Sequence, residues 1–278
     1  MQITTELTPR PNWQREGIAI WGYVQRNYFL TKRYFLWEVV WLVYSVMNAL
    51  TIGFIGVGFS GTPEQVAYNT TFLLIGTLIW SYLSMIFDLL SETVSWERWE
   101  GTIEYTFMSP ASRAAQLIGM GIYAVAYGIV RMIIMLGVIS LFFDMSLGEA
   151  NYLGALGLLA ICSVSLVGFG MVAAVMPLLS PEKGQQVTAI VTAVLLLISG
   201  IYYSVDVLPG WLQPLSVISP VTYALDGIRE MLLDGASFGS QWDNVWPLLV
   251  MGLIFPPLGL WLFHAGEMFA KRTGRLKR

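Results

Sequence analysis

Six long apolar runs constrain the fold of this chain more than any other feature of its sequence. Each is long enough to cross about 30 Å of hydrocarbon, which needs roughly twenty helical residues. They cover residues 36–59, 66–90, 114–143, 151–178, 187–205 and 243–265. Only 12% of the residues are charged, whereas a soluble domain contains about a quarter. The sequence therefore predicts an all-α polytopic membrane protein with six transmembrane helices.

The distribution of basic residues predicts the topology. The short loops at 60–65 and 144–150 contain acidic residues but no lysine or arginine, and the termini and most other loops contain the basic ones. Since basic residues favour the cytoplasmic side, both termini are predicted to be cytoplasmic. We expect a multi-pass protein of a bacterial or archaeal-type plasma (inner) membrane, without a cleavable signal peptide.

The chain is predicted to form one membrane domain at 36–270, between an interface segment at 1–35 and a basic cytoplasmic tail at 271–278. In the first segment, apolar residues follow roughly helical spacing with arginines between them: Trp13, Ile20, Trp21, Val24 and Tyr28. This pattern predicts an amphipathic helix on the inner leaflet. A solvated tail with scattered aromatic residues is the alternative.

A polar stretch, residues 91–113, separates the second apolar run from the third. Its charges cannot lie in hydrocarbon, where each costs roughly 2.5–3.5 kcal/mol at the midplane. Trp96, Trp99 and Ile103 recur at the spacing of one helical face. The stretch therefore predicts a short amphipathic helix outside the bilayer. An interfacial loop anchored by the two tryptophans is the alternative.

The longest predicted external segment covers about 204–242 and contains a second amphipathic pattern. Ser219 and Pro220 form an N-cap followed by a proline at the first helical position. After them an apolar stripe lies opposite a polar face: Val221, Leu225, Ile228 and Leu232 against Asp226, Arg229, Glu230 and Asp234. We expect a helix that dips into the outer leaflet. A surface-lying helix with no gating role is the alternative.

Several kinds of chemistry are excluded. A P-loop ends in Gly-Lys-Ser/Thr, and no lysine in this sequence follows a glycine, so the chain is not predicted to hydrolyse ATP. The acids nearest to the runs, Glu38, Asp88 and Glu267, fall near predicted cytoplasmic ends, so no proton relay is predicted. The single cysteine, Cys162, excludes an intrachain disulfide and a cysteine metal cage. We predict no metal site and no nucleic-acid partner.

One enzymatic pattern is present and is rejected. Gly58-Phe59-Ser60-Gly61 has the form of the nucleophile motif of rhomboid-type intramembrane proteases, and His264 is the single candidate base. The predicted topology places Ser60 and His264 at opposite membrane faces, roughly 30 Å apart. A nucleophile and its base must lie about 3 Å apart. The motif is therefore interpreted as a loop turn.

Arg131 is the one charge deep in an apolar run. Such a residue faces the bundle interior or a water-filled cavity. Because no midplane acid is present to pair with it, we favour a structural role, in which Arg131 bridges backbone carbonyls and external helices. Contact with an anionic part of a substrate is the alternative.

The polar stretch also has a specific resemblance. It reads Glu-Arg-Trp-Glu-Gly-Thr-Ile-Glu at 97–104, followed by Ser-Pro-Ala-Ser-Arg at 109–113. This pattern resembles the E-R-x-x-G-T-L/I-E…S-P-x-S-R segment of ABC-2 type permeases. These are the membrane subunits of ATP-binding-cassette exporters. A second pattern resembles the external re-entrant helices of the same family. It is the order of Leu-Pro at 208–209, Ser-Pro at 219–220, Thr-Tyr at 222–223 and Arg229.

The resemblance implies a coupling helix within 91–113 that docks on a nucleotide-binding ABC ATPase subunit. It implies a docking surface made of Trp96, Glu97, Arg98, Trp99, Glu100, Gly101, Thr102, Ile103 and Glu104. A second cytoplasmic contact would involve Glu182 and Lys183. The external helices would be marked by Pro209, Trp211, Pro220, Tyr223, Asp226 and Arg229. This chain would hold no cofactor, because ATP and Mg would be bound by the partner subunit.

The resemblance further implies a half-transporter that pairs with a second copy of itself, or with a related permease, around a pathway for an amphipathic or lipid-like substrate. The motifs are nearer to the drug- and antibiotic-resistance branch of the family. A permease for polysaccharides or lipid-linked glycans is an alternative within the family. A non-transporting membrane scaffold that docks a cytoplasmic partner is the alternative outside it.

Overall fold

The computed structural model describes residues 12–144 and 150–273, apart from the side chains at 181, 182 and 185. The helices are α1 (Asn12–Arg33), α2 (Phe35–Val57), α3 (Pro63–Trp99), α4 (Ile103–Met108), α5 (Arg113–Ile139), α6 (Tyr152–Ala173), α7 (Val175–Leu179), α8 (Pro181–Ile198), α9 (Gln213–Ser216), α10 (Pro220–Leu233) and α11 (Trp242–Arg272). Two short 3-10 helices cover Val205–Val207 and Phe238–Gln241. Within the described ranges no residue lies in a β-strand.

Five helical segments are long and apolar enough to cross a membrane: α2, α3, α5, α6 with α7, and α11 with the 3-10 turn before it. The predicted all-α polytopic class is thereby confirmed. The predicted run at 187–205 falls on α8, whose described apolar part, Gln186–Ile198, is shorter. The helix ends before Gly200, which adopts φ +69°, a conformation that terminates helices. The count of six spans stays a prediction.

The longest helix, α3, continues well past the predicted end of the second run at residue 90. It begins with a capping box, in which the backbone N–H groups of Thr62 and Gln65 each donate to the other residue's side chain. After Pro63 at its first position no proline interrupts it. Its 37 residues span about 55 Å at 1.5 Å per residue. The helix is therefore longer than the ~30 Å hydrocarbon core is thick.

Glycines allow the helices to approach closely. A Cβ at Gly168 of α6 would lie 2.4 Å from the Pro256 nitrogen of α11, and one at Gly259 would lie 2.7 Å from the Gly168 carbonyl oxygen. Backbone contact of this kind stabilises helix pairs in lipid, where burial of apolar surface provides little driving force. α3 packs on the same α6 through a buried core that includes Leu83 and Ile86.

The helix predicted in segment 1–35 is present as α1, and residues 1–11 lie outside the described chain. It lies along α5: a Cβ at Gly119 would meet the Ile20 carbonyl oxygen at 2.7 Å and the Tyr23 Cβ at 2.8 Å. Trp13 and Trp21 are exposed. α1 therefore packs on the bundle with one face and leaves aromatic side chains uncovered.

Candidate coupling surface and intramembrane cavity

Residues 96–104, predicted as one amphipathic helix, lie on two helices. α3 ends at Trp99 and α4 begins at Ile103. Between them Gly101 adopts φ +70°, which costs residues with a Cβ roughly 1 kcal/mol or more. The expectation of a single helix is corrected, because Gly101 turns the chain before the helical face can continue.

The turn between α3 and α4 is a Schellman motif. The N–H of Thr102 donates to the Glu97 carbonyl oxygen at 2.9 Å, and the N–H of Gly101 donates to the Arg98 carbonyl oxygen at 3.2 Å. These bonds satisfy carbonyl groups that the end of a helix leaves without intrahelical donors. The Gly-Thr pair therefore fixes the direction in which the chain leaves α3.

The turn also divides the predicted docking residues between surface and interior. Trp96 and Trp99 are more than half exposed, whereas Glu97 and Ile103 are each 2% exposed and Arg98 is also buried. The predicted apolar stripe is therefore wrong for Ile103, which packs inside. Glu97 and Arg98 are likewise corrected from surface to buried positions.

The exposed part of this region combines large apolar side chains with acids. We define the α3–α4 surface as Trp96, Trp99, Glu100, Glu104, Tyr105 and Met108, all of which are exposed. Tyr105 and Met108 are 76% and 84% exposed. Exposed aromatic residues and methionine that adjoin one another are typical of protein interfaces.

Glu97 joins three helices behind this surface. Its carboxylate accepts a hydrogen bond from Arg26 of α1 at 2.5 Å and one from Gln116 of α5 at 3.5 Å. Burial, together with the Glu97 charge, raises the pKa of Tyr23 above its ordinary value, so the phenol stays neutral. Sequence reasoning missed Arg26 and Gln116, since nothing in their local sequence indicates a distant carboxylate.

α4 is held from the other side by α5 and α11. Arg113 donates to the Thr106 carbonyl oxygen at 2.8 Å, and its Nε lies 3.2 Å from the Glu267 carboxylate. Lys271 pairs with the same carboxylate at 2.6 Å. Glu267, predicted only to lie near a helix end, is therefore a buried junction that fixes the position of α4.

The predicted second contact lies at the start of α8. Lys183 is exposed, and the side chain of Glu182 lies outside the described residues. The hydroxyl groups of Ser91 and Thr188 form a buried hydrogen bond of 2.7 Å between α3 and α8. The beginning of α8 therefore lies beside the last turns of α3, at the same end of the bundle as the α3–α4 surface.

Arg131 points into the space between α2, α3 and α5. It donates to the Ser45 hydroxyl at 3.1 Å and to the Met85 sulfur at 3.3 Å, and its guanidinium lies 6.0 Å from the centre of the Tyr127 ring. These partners are side chains, not the backbone carbonyls and external helices that we expected. All three are uncharged, so its positive charge is not neutralised by them.

A cavity of ≈ 780 Å³ lies between α1, α2, α3 and α5. We call it the α2–α3 cavity. Arg131 lines it, as does Trp96 of the α3–α4 surface. Five acids also line it: Glu38, Asp88, Glu92, Glu97 and Glu100. Local sequence does not indicate this grouping, because Glu38 lies on α2 and the others lie on α3 or at its end.

At the other end of the bundle, Arg229 is buried instead of lying on the predicted polar face of α10. It donates to the carbonyl oxygens of Gly200 at 2.8 Å and Ile201 at 2.5 Å, and its guanidinium stacks 3.5 Å above the Phe72 ring. Desolvation lowers the pKa of Arg229 to about 10. The expectation for Arg229 is corrected: this side chain satisfies carbonyl groups where the chain leaves α8.

The other external residues occupy different environments. Pro209, Trp211 and Asp226 are exposed, whereas Pro220 is buried at the first position of α10. Tyr223 donates to the Val217 carbonyl oxygen at 3.2 Å. α10 packs against α6, α11 and α3, so it is part of the core and not a helix lying on the surface. Its depth in a bilayer stays a prediction.

The arrangement of helices gives a second reason to reject the protease hypothesis. Ser60 lies just before the start of α3. His264 lies one turn from Glu267, which pairs with Arg113 beside α4, near the opposite end of α3. The length of α3, about 55 Å, therefore separates the two regions.

The fold defines a polytopic helical membrane protein, and the α3–α4 surface lies at the end of its longest helix. A family model described as ABC-2 type transporter matches residues 19–233, which run from within α1 to the end of α10. The chain belongs to the ABC-2 type transporter family, so the predicted family is confirmed. Members of this family are membrane components of transporters and not catalytic ATPases.

Two curated relatives are similar to this chain. Each is named "Probable multidrug ABC transporter permease YbhR", one from Escherichia coli (strain K12) and one from Escherichia coli O157:H7. Both are 28% identical to it over 194 residues, which are 68% of this chain and 48% of the relative. The chain thus spans about half the length of these relatives.

Proposed function

We propose that this chain is the permease subunit of an ABC exporter in a plasma (inner) membrane, with both termini cytoplasmic. A second copy or a related permease completes the pathway for an amphipathic or lipid-like substrate. Separate ATPase subunits bind ATP and Mg and drive transport. The observation that carries the proposal is the α3–α4 surface, which is exposed, aromatic and acidic, and lies within the segment that resembles a coupling helix.

The connections behind the surface suit the transmission of force. Glu97 ties it to α1 through Arg26, and Arg113 with Glu267 ties α4 to α11. α3 is continuous from Pro63 to Trp99. A partner that moves the surface therefore moves the end of a membrane-spanning helix, and the buried ion pairs convey that movement to its neighbours.

The composition of the surface favours a protein partner over the lipid interface. Tyr105 and Met108 are exposed beside Glu100 and Glu104. Acidic side chains are repelled by the anionic lipids of a cytoplasmic leaflet, but they can pair with basic residues in a groove of an ATPase. We favour the drug-exporter branch because of the multidrug permease relatives; a polysaccharide or lipid-linked glycan exporter is the second candidate.

The test is purification of the chain from its native membrane with whatever binds it, followed by an ATPase assay. We expect a P-loop ATPase in stoichiometric amount. The variant Glu104→Lys/Tyr105→Ala should lower recovery of that ATPase about tenfold or more, because exposed aromatic anchors and their adjacent charges dominate interface energy. The matched control is Trp211→Ala, an equally exposed aromatic residue in the segment between α8 and α10.

Recovery of the chain without a P-loop partner would contradict the proposal and support the membrane scaffold. Undiminished recovery of the ATPase with the double variant would show that docking uses another surface. Since both substituted side chains are exposed, the variant is expected to fold normally, and size-exclusion chromatography checks this.

A further inference from the structure

The α2–α3 cavity is lined by more acidic than basic side chains. Glu38, Asp88 and Glu92 line it. In the described part of the chain the ion pairs join other residues, and none includes these three carboxylates. Asp88 and Glu92 are four positions apart on α3, so their side chains are neighbours on one helix face, where like charges repel. A positive charge placed among them would relieve this repulsion.

The two arginines that line the cavity do not supply that charge. Arg26 pairs with Glu97. Arg131 donates to Ser45 and to the Met85 sulfur. Of the three acids, Glu38 accepts a hydrogen bond from the Tyr127 hydroxyl at 2.6 Å. Asp88 and Glu92 therefore line the cavity without an ion pair among the described residues.

The opposite wall is aromatic. Trp37, Trp41 and Tyr44 are spaced along one face of α2 and line the cavity. The rings of Trp37 and Trp41 are edge to face with centroids 6.2 Å apart, and those of Trp41 and Tyr44 are 5.9 Å apart in the same arrangement. All three side chains are 48–64% exposed. Exposed aromatic faces attract organic cations and also accept apolar groups.

The size of the cavity excludes a bare inorganic ion as the fitting ligand. At ≈ 780 Å³ it lies within the range of about 300–1,000 Å³ that is usual for small-molecule sites. Apolar side chains such as Leu30 and Leu89 also line it, and these cannot coordinate a metal. The shape, the aromatic wall and the acids together fit a molecule with a bulky apolar body and a positive charge.

We propose that the α2–α3 cavity binds lipid-soluble organic cations, with the positive charge beside Asp88 and Glu92 and the apolar body against Trp37 and Trp41. This proposal names a ligand class for the transport role given above and in that sense rests on it. Binding itself requires only this chain. The cavity also reaches Trp96 of the α3–α4 surface, so a bound cation contacts the helix whose end meets the ATPase.

The test measures binding of radiolabelled tetraphenylphosphonium to the purified full chain in zwitterionic nanodiscs, corrected for empty nanodiscs. Tetraphenylborate, which has nearly the same shape and the opposite charge, is measured separately. We expect saturable binding of the cation alone. Equal saturable binding of tetraphenylborate would overturn the proposal, because shape and apolar contact would then explain the affinity.

Substitutions assign the binding to this cavity. Asp88→Asn and Glu92→Gln should each weaken tetraphenylphosphonium binding about tenfold, because each removes an attractive charge near the ligand. Glu64→Gln, an exposed acid at the far end of α3, is the matched control and should have no effect. Unchanged affinity in both acidic variants would overturn the proposal.

Two further measurements keep the result decisive. If an acidic variant does not fold, Trp41→Leu, at an exposed position, should still weaken binding several-fold through loss of the aromatic face. Unchanged binding in Trp41→Leu would then count against the site. If the chain binds the cation as expected but stimulates no ATPase, the result contradicts the transport role and not the binding site. If the chain stimulates an ATPase but does not bind the cation, the result contradicts the binding site and not the transport role.

Discussion

The guanidinium of Arg26 and the carboxylate of Glu97 lie 2.5 Å apart although 71 positions separate them in the chain. The contact connects α1 to the end of α3, directly behind the surface proposed to meet an ATPase. Glu97 is 2% exposed and Arg26 about one third exposed at its side chain. An acid in the proposed coupling segment therefore acts inside the protein and not at its surface.

Arg26→Ala should destabilise the chain by about 1–3 kcal/mol, because it leaves a buried carboxylate without its cation, with the upper end reduced by the partial exposure of the arginine. Thermal unfolding in detergent measures the effect. The double variant Arg26→Ala/Glu97→Gln should recover much of the loss, since the uncompensated charge is then absent. A single variant as stable as the unmodified chain would contradict a structural role for the pair.

Gly101→Ala should lower coupling of ATPase to transport while the chain still inserts and folds. The substitution places a Cβ at φ +70° and costs roughly 1 kcal/mol at the turn. A Cβ there meets no atom within 4 Å, so the effect is one of backbone conformation. Stimulated ATPase activity measures it.

Gly22→Ala is the control for Gly101→Ala. It also introduces a methyl group into open space, but on the regular helix α1. We expect Gly22→Ala to be neutral or slightly stabilising. Equal effects of the two substitutions would show that the left-handed conformation at Gly101 has no special role.

Gly76→Ala should be strongly destabilising. A Cβ at this position would lie 2.3 Å from the Ile201 carbonyl oxygen and 2.6 Å from an Arg229 nitrogen. Neither can move without breaking the hydrogen bond between them, so we expect a loss of about 2–3 kcal/mol. Thermal unfolding tests this, with Gly137→Ala, which meets open space on α5, as the control. Similar stability for both variants would rule out close backbone contact at Gly76.

Arg131→Ala should reduce folding yield more than it changes ligand preference, because it removes the link between Ser45 on α2 and Met85 on α3. The expected destabilisation is about 1–2 kcal/mol, as for the loss of hydrogen bonds to a charged group. Expression yield and thermal unfolding measure it. A well-folded variant with an altered substrate range would instead support direct contact between Arg131 and substrate.

The sequence alone predicted the class of this protein, the amphipathic first helix and the segment that resembles a coupling helix. Hydrophobic runs and polar interruptions are local properties of the sequence. Because a bilayer requires apolar helices of a certain length, these properties can be interpreted without tertiary contacts. The same logic predicted one continuous helix across Gly101, which the structure corrects. It could not predict that Gly101 would direct Ile103 inward and leave Trp96 and Trp99 exposed.

Only the tertiary structure decided which charges are buried and what they contact. Glu97 and Arg229 look like members of polar faces, yet one pairs with a helix far away in sequence and the other binds carbonyls where α8 ends. The grouping of Asp88 and Glu92 with the aromatic residues of α2 likewise depends on how two helices lie side by side. A sequence determines the periodicity of each helix, but the partner of a charge depends on helix rotation and position, which packing of the whole bundle determines.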